Sequence, residues 1–154
     1  TASGGPRRVV VTGMGVVTPI GTTVADFWAR AAKAVQASDL SIEDLKILIA
    51  AQIKDFDHKA RLKHFQRDKI ITHADRYSWF AAAAADEAIK QSGLETPFKD
   101  ALRTGCIIGS GAGGLVTFEA AYRDLFIANK RATHPLTLLR IIGSSAAAHV
   151  GIEF

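Results

Sequence analysis

The chain has 154 residues, of which 48% are hydrophobic and 22% charged, and it carries a formal net charge of +4. This composition is typical of one soluble globular domain with a buried core, and no apolar run approaches the roughly 20 residues that a membrane-spanning helix needs. The charge favours acidic partners but is too small to indicate nucleic acid. A single cysteine, Cys106, excludes an internal disulfide and fits a reducing compartment.

The first structural signal is a β-branched run that turns on glycines. Residues 1–8, TASGGPRR, have no long apolar segment behind their charges, so they indicate a leader rather than a signal peptide. The continuous apolar run at 9–12 predicts a short buried strand, which Gly13 and Gly15 end.

The next signal is a helix N-terminus. Thr22 or Thr23 is a typical N-cap, so a helix is expected from about Val24. Residues 35–50 leave two alternatives open, a short capped helix or a loop that leads into a strand.

Helical spacing is clearest from about Asp68 to Gln91, where apolar residues recur every three or four positions. Five consecutive alanines, 81–85, allow another element to approach this helix closely. Gly93 is expected to end the helix in a left-handed conformation.

The remaining elements repeat the order of strand and helix. The sequence predicts a buried strand at about 104–108, a helix at roughly 115–129, and a further helix after Pro135 with small residues at 144–148. This alternation predicts an α/β fold with a largely parallel sheet. If these residues are all that fold together, the small-residue faces of the helices are expected to be exposed.

The segment GSGAGG matches the dinucleotide fingerprint G-x-G-x-x-G at Gly109, Gly111 and Gly114. That fingerprint also needs an acidic residue on a second strand about 20 residues later, where this chain has the basic, polar stretch IANKRATHP. A tight turn with close backbone packing is therefore favoured over dinucleotide binding.

Nucleophile and metal candidates are weak. Cys106 is expected inside an apolar strand, with no neighbouring histidine or helix N-terminus to activate it. No two histidines are three or four residues apart, the usual spacing of metal ligands on one helix; the histidines are His58, His64, His73, His134 and His149. No metal site is predicted.

A basic run follows residue 53, with aspartates between its charges. It fits either a solvated surface or a docking patch for an acidic partner. Its basic residues are Lys54, Lys59, Arg61, Lys63, Arg67 and Lys69.

Four segments in this order resemble one family. They are RRVVVTGMGVVTPIG, the Ala-rich helix that ends in QSGL, GCIIGSGAGG and AAHVGIEF. Together they are similar to the N-terminal part of the β-ketoacyl-acyl carrier protein synthases of the elongating type, the condensing enzymes of fatty acid synthesis. The resemblance implies that residues 9–154 are the N-terminal portion of a thiolase-like αβαβα layered fold, in which the first glycine turn is structural.

The resemblance implies an acyltransferase that elongates acyl chains by decarboxylative Claisen condensation. A cysteine takes the acyl group from its carrier protein, malonyl-carrier protein loses carbon dioxide, and the carbanion attacks the acyl thioester. The family's nucleophile follows the helix at the end of this chain and its two histidines come later, so the 154 residues alone are expected to be inactive. The alternative is a non-catalytic homologue or subunit that acts as a dimer partner.

The resemblance also implies where the substrate lies. It places Ala112 at the border of the acyl pocket, between Gly111 and Gly113, and a small side chain there implies room for a longer or bent acyl chain. Thr137 stands where some members have an aromatic residue, within the segment 135–139 near the dimer interface.

The resemblance implies a carrier-docking surface as well. Lys69 corresponds to a basic residue that receives the carrier protein, and Arg131, beside Lys130, corresponds to another. The expected partners are an acyl carrier protein with acyl- or malonyl-phosphopantetheine and a second copy of the chain, in the cytoplasm. No metal, nucleotide or other cofactor, nucleic acid or membrane is implied.

Overall fold

The computed structural model describes residues 8–31, 38–39, 49–71 and 73–154. Helices dominate the secondary structure of these residues: α1 Val24–Ala31, α2 His58–Leu62, α3 Asp68–Ile71, α4 Arg76–Ser92, α5 Leu115–Tyr122, α6 Thr137–Ile141 and α7 Ser145–Glu153. A 3₁₀-helix spans Ala101–Arg103, and a π-helix at Arg123–Ile127 continues α5.

The strands of the described residues are short. β1 Ser38–Asp39 pairs antiparallel with β2 Ile49–Ala50, with Ser38 opposite Ala50. A single bridge joins Thr18 to Gly21. The parallel sheet predicted from the sequence is not present in the part of the chain that the structure describes.

Both predicted buried strands, 9–12 and 104–108, are wrong for this structure. Each segment lacks strand pairing, and most of its side chains face solvent, with Val9 91% and Ile107 99% exposed. Ile108 is the exception, since it is half-buried against the core. A strand is buried only when other segments cover it and pair with its backbone. None of the described segments does so here, although both sequences have the β-branched character of a core strand.

The predicted start of the first helix is confirmed. Thr23 lies directly before α1, and its Oγ1 accepts a hydrogen bond from the Asp26 N–H at 3.1 Å. The same hydroxyl donates to the Asp26 carboxylate at 2.8 Å. Most of residues 35–50, for which two alternatives were open, lies outside the described residues.

The single helix predicted over 68–91 is instead two helices, α3 and α4. Asp75 separates them because its extended backbone, with φ −75° and ψ 158°, is an N-cap rather than a helical residue. The predicted end is confirmed, since α4 stops at Ser92 and Gly93 has φ 70°.

The helix predicted over 115–129 is largely confirmed, because α5 and the π-helix run together to Ile127. The helix predicted after Pro135 is instead broken into α6 and α7. Ile142 is extended there, with ψ 137°, and Gly143 follows it.

Small residues let α4 and α7 pack closely, and this pair forms the centre of the described core. Ala82, Ala83 and Ala146 are fully buried. The expectation that the small-residue faces would be exposed is therefore wrong: the two helices cover each other. Leu62 and Phe65 add the larger side chains of the same core.

Gly13 and Gly15, where the sequence predicted a turn, form no turn in the structure and instead pack backbone against backbone on α4. A Cβ on Gly13 would collide with the carbonyl oxygen of Ala88, and one on Gly15 with that of Ala84. The predicted close approach to the alanine run is confirmed. Glu87 ties this segment to α1, since its carboxylate accepts from Val16 N–H at 3.1 Å and from Val24 N–H, in the first residue of α1, at 2.8 Å.

Candidate functional site

The glycine loop, residues 109–114, is a tight turn built against the end of α6. Gly113 has φ 64°, a left-handed conformation that favours glycine, and its N–H donates to Ser110 Oγ at 3.0 Å. The N–H of Gly114 donates to the Ile141 carbonyl at 2.9 Å. A Cβ on Gly114 would collide with the Arg140 carbonyl, so close backbone packing accounts for the last two glycines.

The other side of the glycine loop is open. A Cβ on Gly109 or on Gly111 would meet nothing within 4 Å. Gly111 and Ala112 are exposed, whereas Gly113 is half-buried. The structure therefore brings these three predicted pocket residues together on a rigid turn whose first part faces open space.

Two side chains that the sequence analysis missed hold this turn in place. The carboxylate of Asp75 is 4% exposed and accepts from the Thr117 N–H at 2.8 Å, in the first turn of α5. Tyr77 donates its hydroxyl to the Ile142 carbonyl at 2.5 Å. An aspartate before a helix predicts a cap, but its second partner lies 42 positions away and has no local signal.

Thr137 is less closely connected to the glycine loop. It lies half-buried in the first turn of α6, where its N–H donates to the His134 carbonyl at 2.9 Å. The loop instead meets the last turn of that helix, at Arg140 and Ile141.

The three predicted docking residues are all exposed. Lys69 lies in α3, and Lys130 and Arg131 lie in the loop after the π-helix. Lys130 pairs with Asp124, since Nζ lies 2.8 Å from the carboxylate and its backbone N–H donates to the Asp124 carbonyl. This pair fixes the conformation of that loop beside Arg131.

The basic segment, residues 59–69, is anchored from two sides. At its far end, the Glu153 carboxylate accepts from the N–H groups of Gln66 at 2.7 Å and Arg67 at 3.0 Å. Near its middle, His64 Nε2 lies 2.9 Å from the buried carboxylate of Asp86. Lys59, Lys63, Arg67 and Lys69 are exposed, whereas Arg61 is half-buried.

Cys106 is exposed, so its predicted burial is wrong, because the strand expected around it does not form. Desolvation by neighbouring atoms still raises the pKa of its thiol, which disfavours the reactive thiolate. That Cys106 is not the nucleophile stays a prediction, which the raised pKa favours.

Two histidines have shifted pKa values. Burial lowers the pKa of His149 in α7. Desolvation, followed by the charge of Lys59, lowers the pKa of His58, which stacks on Trp79 with ring centroids 3.7 Å apart. Among the described residues, no three histidine, cysteine, aspartate or glutamate side chains cluster as metal ligands would.

A cleft of about 360 Å³ lies away from all these residues, between the turn at 18–22 and residues 51–55. Its charged side chains have mixed sign; they are Asp26, Arg30, Lys54 and Asp55. It is not lined by the predicted pocket residues or by the three docking residues Lys69, Lys130 and Arg131. We place the candidate site at the glycine loop, where the backbone is organised around an open turn.

These features agree with a comparison of the sequence with known families. Residues 6–154 match the sequence model of the β-ketoacyl synthase N-terminal domain. The chain belongs to this family.

Two individual proteins are similar to this chain over nearly all of its length. The chain is 34% identical over 151 residues to 3-oxoacyl-(acyl-carrier-protein) synthase 2 of Staphylococcus aureus (strain COL), covering 96% of this chain and 36% of that protein. It is 34% identical over 154 residues to the enzyme of the same name from Coxiella burnetii (strain RSA 493 / Nine Mile phase I), again covering 96% and 36%. The chain thus spans about a third of the length of these relatives.

Solved structures share the fold. The ishigamide ketosynthase/chain length factor matches with TM-score 0.73 and 24% identity, over 96% of this chain and 37% of that one. A type II PKS ketosynthase, solved with its acyl-carrier protein and bound to the hexaketide, matches with TM-score 0.71 and 20% identity, over 93% and 38%. The fold is therefore that of the ketosynthases. In the described part of the chain, no helix is both long and apolar enough to cross a bilayer.

Proposed function

We propose that this chain is the first part of a β-ketoacyl-acyl carrier protein synthase that elongates acyl chains in fatty acid biosynthesis. The observation that carries the proposal is the 34% identity to 3-oxoacyl-acyl-carrier-protein synthases over 96% of the chain. The glycine loop supports it, because Gly113 and Gly114 pack their backbone against α6 in a tight turn.

The reaction assigns different work to different parts of the protein. A cysteine thiolate attacks the acyl thioester and releases the carrier's thiol; malonyl-carrier protein then loses carbon dioxide, and its carbanion attacks the acyl-enzyme carbonyl and frees the cysteine. We assign that cysteine and the two histidines that stabilise the oxyanions to sequence beyond these 154 residues. Within them, we assign acyl binding and carrier docking.

The acyl pocket is proposed at Gly111, Ala112 and Gly113, with Thr137 in the neighbouring helix. The support is geometric: Gly113 and Gly114 hold the turn against α6, and Ala112 is presented on the open side. A methyl group there occupies little volume, so the pocket is proposed to accept long acyl chains.

Carrier docking is proposed at Lys69, Lys130 and Arg131. All three are exposed cations, and the Lys130–Asp124 pair holds the loop beside Arg131. Exposed cations steer the approach of an acidic protein. The complete protein is further proposed to be cytoplasmic, homodimeric and built on the layered αβαβα arrangement, in which segments 9–12 and 104–108 become covered strands.

The experiment that tests the proposed function begins with the complete reading frame that carries this chain. Its product is purified, its intact mass is measured, and it is incubated with a radiolabelled acyl-carrier protein. We expect a mass well above 16.5 kDa and label on one cysteine other than Cys106. Adding malonyl-carrier protein should then release a product longer by two carbons.

The alternative function predicts a different outcome of the same experiment. A non-catalytic homologue would take up no label by itself. It would instead co-purify with a catalytic condensing enzyme and change the chain length of that partner's products. Absence of label overturns the proposed synthase activity, and absence of both outcomes overturns the alternative as well.

A further inference from the structure

Glu153 makes an unusual contact at the end of α7. Its two carboxylate oxygens accept from two consecutive backbone N–H groups, those of Gln66 at 2.7 Å and Arg67 at 3.0 Å. These partners are 86 and 87 positions away, so the contact joins distant parts of the chain. Hydrogen bonds to an ionised acceptor are about twice as strong as neutral ones.

A second contact secures the same junction. The ring of Phe154 packs edge-on against Phe65, with centroids 5.5 Å apart and planes at 76°. Phe65 is 6% exposed and belongs to the core. The backbone at 65–67 is therefore fixed to α7 on both its apolar and its polar side.

Glu153 contacts the backbone of the basic segment and not its charged side chains. Its carboxylate binds backbone N–H groups, and the side chain of Arg67 remains exposed at the surface. Lys69 lies two residues further on, in α3. The backbone N–H groups of Ile70 and Ile71 in this helix donate to the carbonyl of Arg67. Any change in the backbone at 66–67 therefore changes where these two cations point.

We propose that Glu153 is a positioning residue for carrier docking. It fixes the backbone from which Arg67 and Lys69 present their charges to an acidic carrier protein, and it does so without touching the carrier. This inference rests on the proposed function, because it assigns the basic segment to that partner.

The sign of the effect makes the inference testable. Glu153 is an acidic residue beside a basic segment, so on charge alone its removal should tighten the binding of an acidic partner. Positioning predicts the reverse. Glutamine offers one acceptor oxygen and one NH₂ group, so Glu153→Gln leaves a second backbone N–H facing a donor.

The experiment uses the full-length protein and two substrates: an acyl-carrier protein, and the same acyl group on free pantetheine. In Glu153→Gln, the KM for the carrier-delivered substrate should rise roughly fivefold, the size of one surface ion pair. The kcat and the KM for acyl-pantetheine should stay unchanged. The matched control is Glu119→Gln, which removes the same charge from an exposed pair with Arg123 and should leave both KM values unchanged.

The outcomes separate the two proposals. A carrier KM that is unchanged or lower in Glu153→Gln overturns the inference alone, as does an equal loss of kcat on both substrates, which is the mark of partial unfolding. A wild-type protein that turns over neither substrate overturns the proposed function and the inference with it.

Discussion

Asp75 is a single residue on which three helices depend. Its carboxylate caps α4 and accepts from Thr117 N–H in α5, and its Cβ lies beside Gly114, against which α6 ends. We expect Asp75→Ala to lower the free energy of unfolding by about 2–3 kcal/mol, because it leaves a buried N–H without a partner. Urea denaturation measures this loss.

A second aspartate cap supplies the control for that substitution. Asp57 caps α2 by accepting from Ala60 N–H at 3.0 Å, but it is exposed and bonds within its own helix. Asp57→Ala should cost about 1 kcal/mol. Equal losses in the two variants would show that Asp75 acts as an ordinary cap and not as a junction.

Ala112 tests the proposed pocket by size. In the full-length enzyme, Ala112→Phe should suppress turnover of long acyl chains and spare short ones, because the ring fills space that a methyl group leaves open. Competition between short and long acyl-carrier proteins measures the preference. Ala120→Phe, on the exposed side of α5, is the control, and an unchanged preference in Ala112→Phe would remove the pocket assignment.

His149 makes stability depend on pH. Burial lowers its pKa below the ordinary value of 6.5, so the unfolded chain takes up a proton before the folded chain does. The free energy of unfolding should therefore fall as the pH drops below about 6.5. His149→Asn should make this fall smaller, measured by urea denaturation at pH 5 and pH 8.

His58 accounts for part of the same pH dependence, because its pKa is lowered too. The double variant with His58→Asn should therefore show a smaller fall than His149→Asn alone. If His149→Asn keeps the full wild-type slope, the burial of that ring is not what links stability to pH.

At the scale of elements, the contact of α4 with α7 determines how much volume the core accepts. Ala146 is fully buried between them. Ala146→Leu should lower the free energy of unfolding by about 1–3 kcal/mol, because the extra methylenes force the helices apart. Ala120→Leu, on exposed α5 surface, should change it by less than about 0.5 kcal/mol. Comparable losses would show that the contact is loose.

Some helix ends could be predicted from the sequence and others could not. Local signals gave the start of α1 at Thr23 and the end of α4 at Gly93, because caps act over one helical turn. The break at Asp75 was missed, since the apolar period continues across it and the bond to Thr117 that favours the break is not local.

The strands and the site illustrate the same limit. The runs at 9–12 and 104–108 have core-strand composition, but composition does not supply the neighbouring strands that define a sheet. The glycine loop was predictable as a tight turn. The residues that position it and the basic segment, Tyr77 and Glu153, make contacts 65 and 86 or more positions away, which no local pattern reports.

At the scale of the whole molecule, binding of the carrier protein should depend on where the positive charges lie and not only on the net charge of +4. Lys69→Glu and Arg131→Glu should each weaken carrier binding about tenfold at low salt, with the difference shrinking above 0.15 M because exposed charges are screened. Titration of a fluorescent carrier protein at two salt concentrations measures both effects.

A third charge reversal separates position from total charge. Lys99 is exposed and pairs with Glu95, outside both docking segments, so Lys99→Glu changes the net charge by the same amount. It should weaken binding far less. If all three variants weaken binding equally, the carrier responds to overall charge and the assignment of a docking surface fails.

The contact of Gly13 and Gly15 with α4 also determines the register between this segment and the helix. Two residues of extended chain, from Gly13 to Gly15, advance about 6.7 Å, and the four residues from Ala84 to Ala88 advance about 6.0 Å along the helix. The two distances nearly coincide, so Gly13 can contact Ala88 while Gly15 contacts Ala84. A shift by one residue would press Met14 or Val16 onto the helix backbone, so the two glycines fix a single register between residues 13–15 and α4.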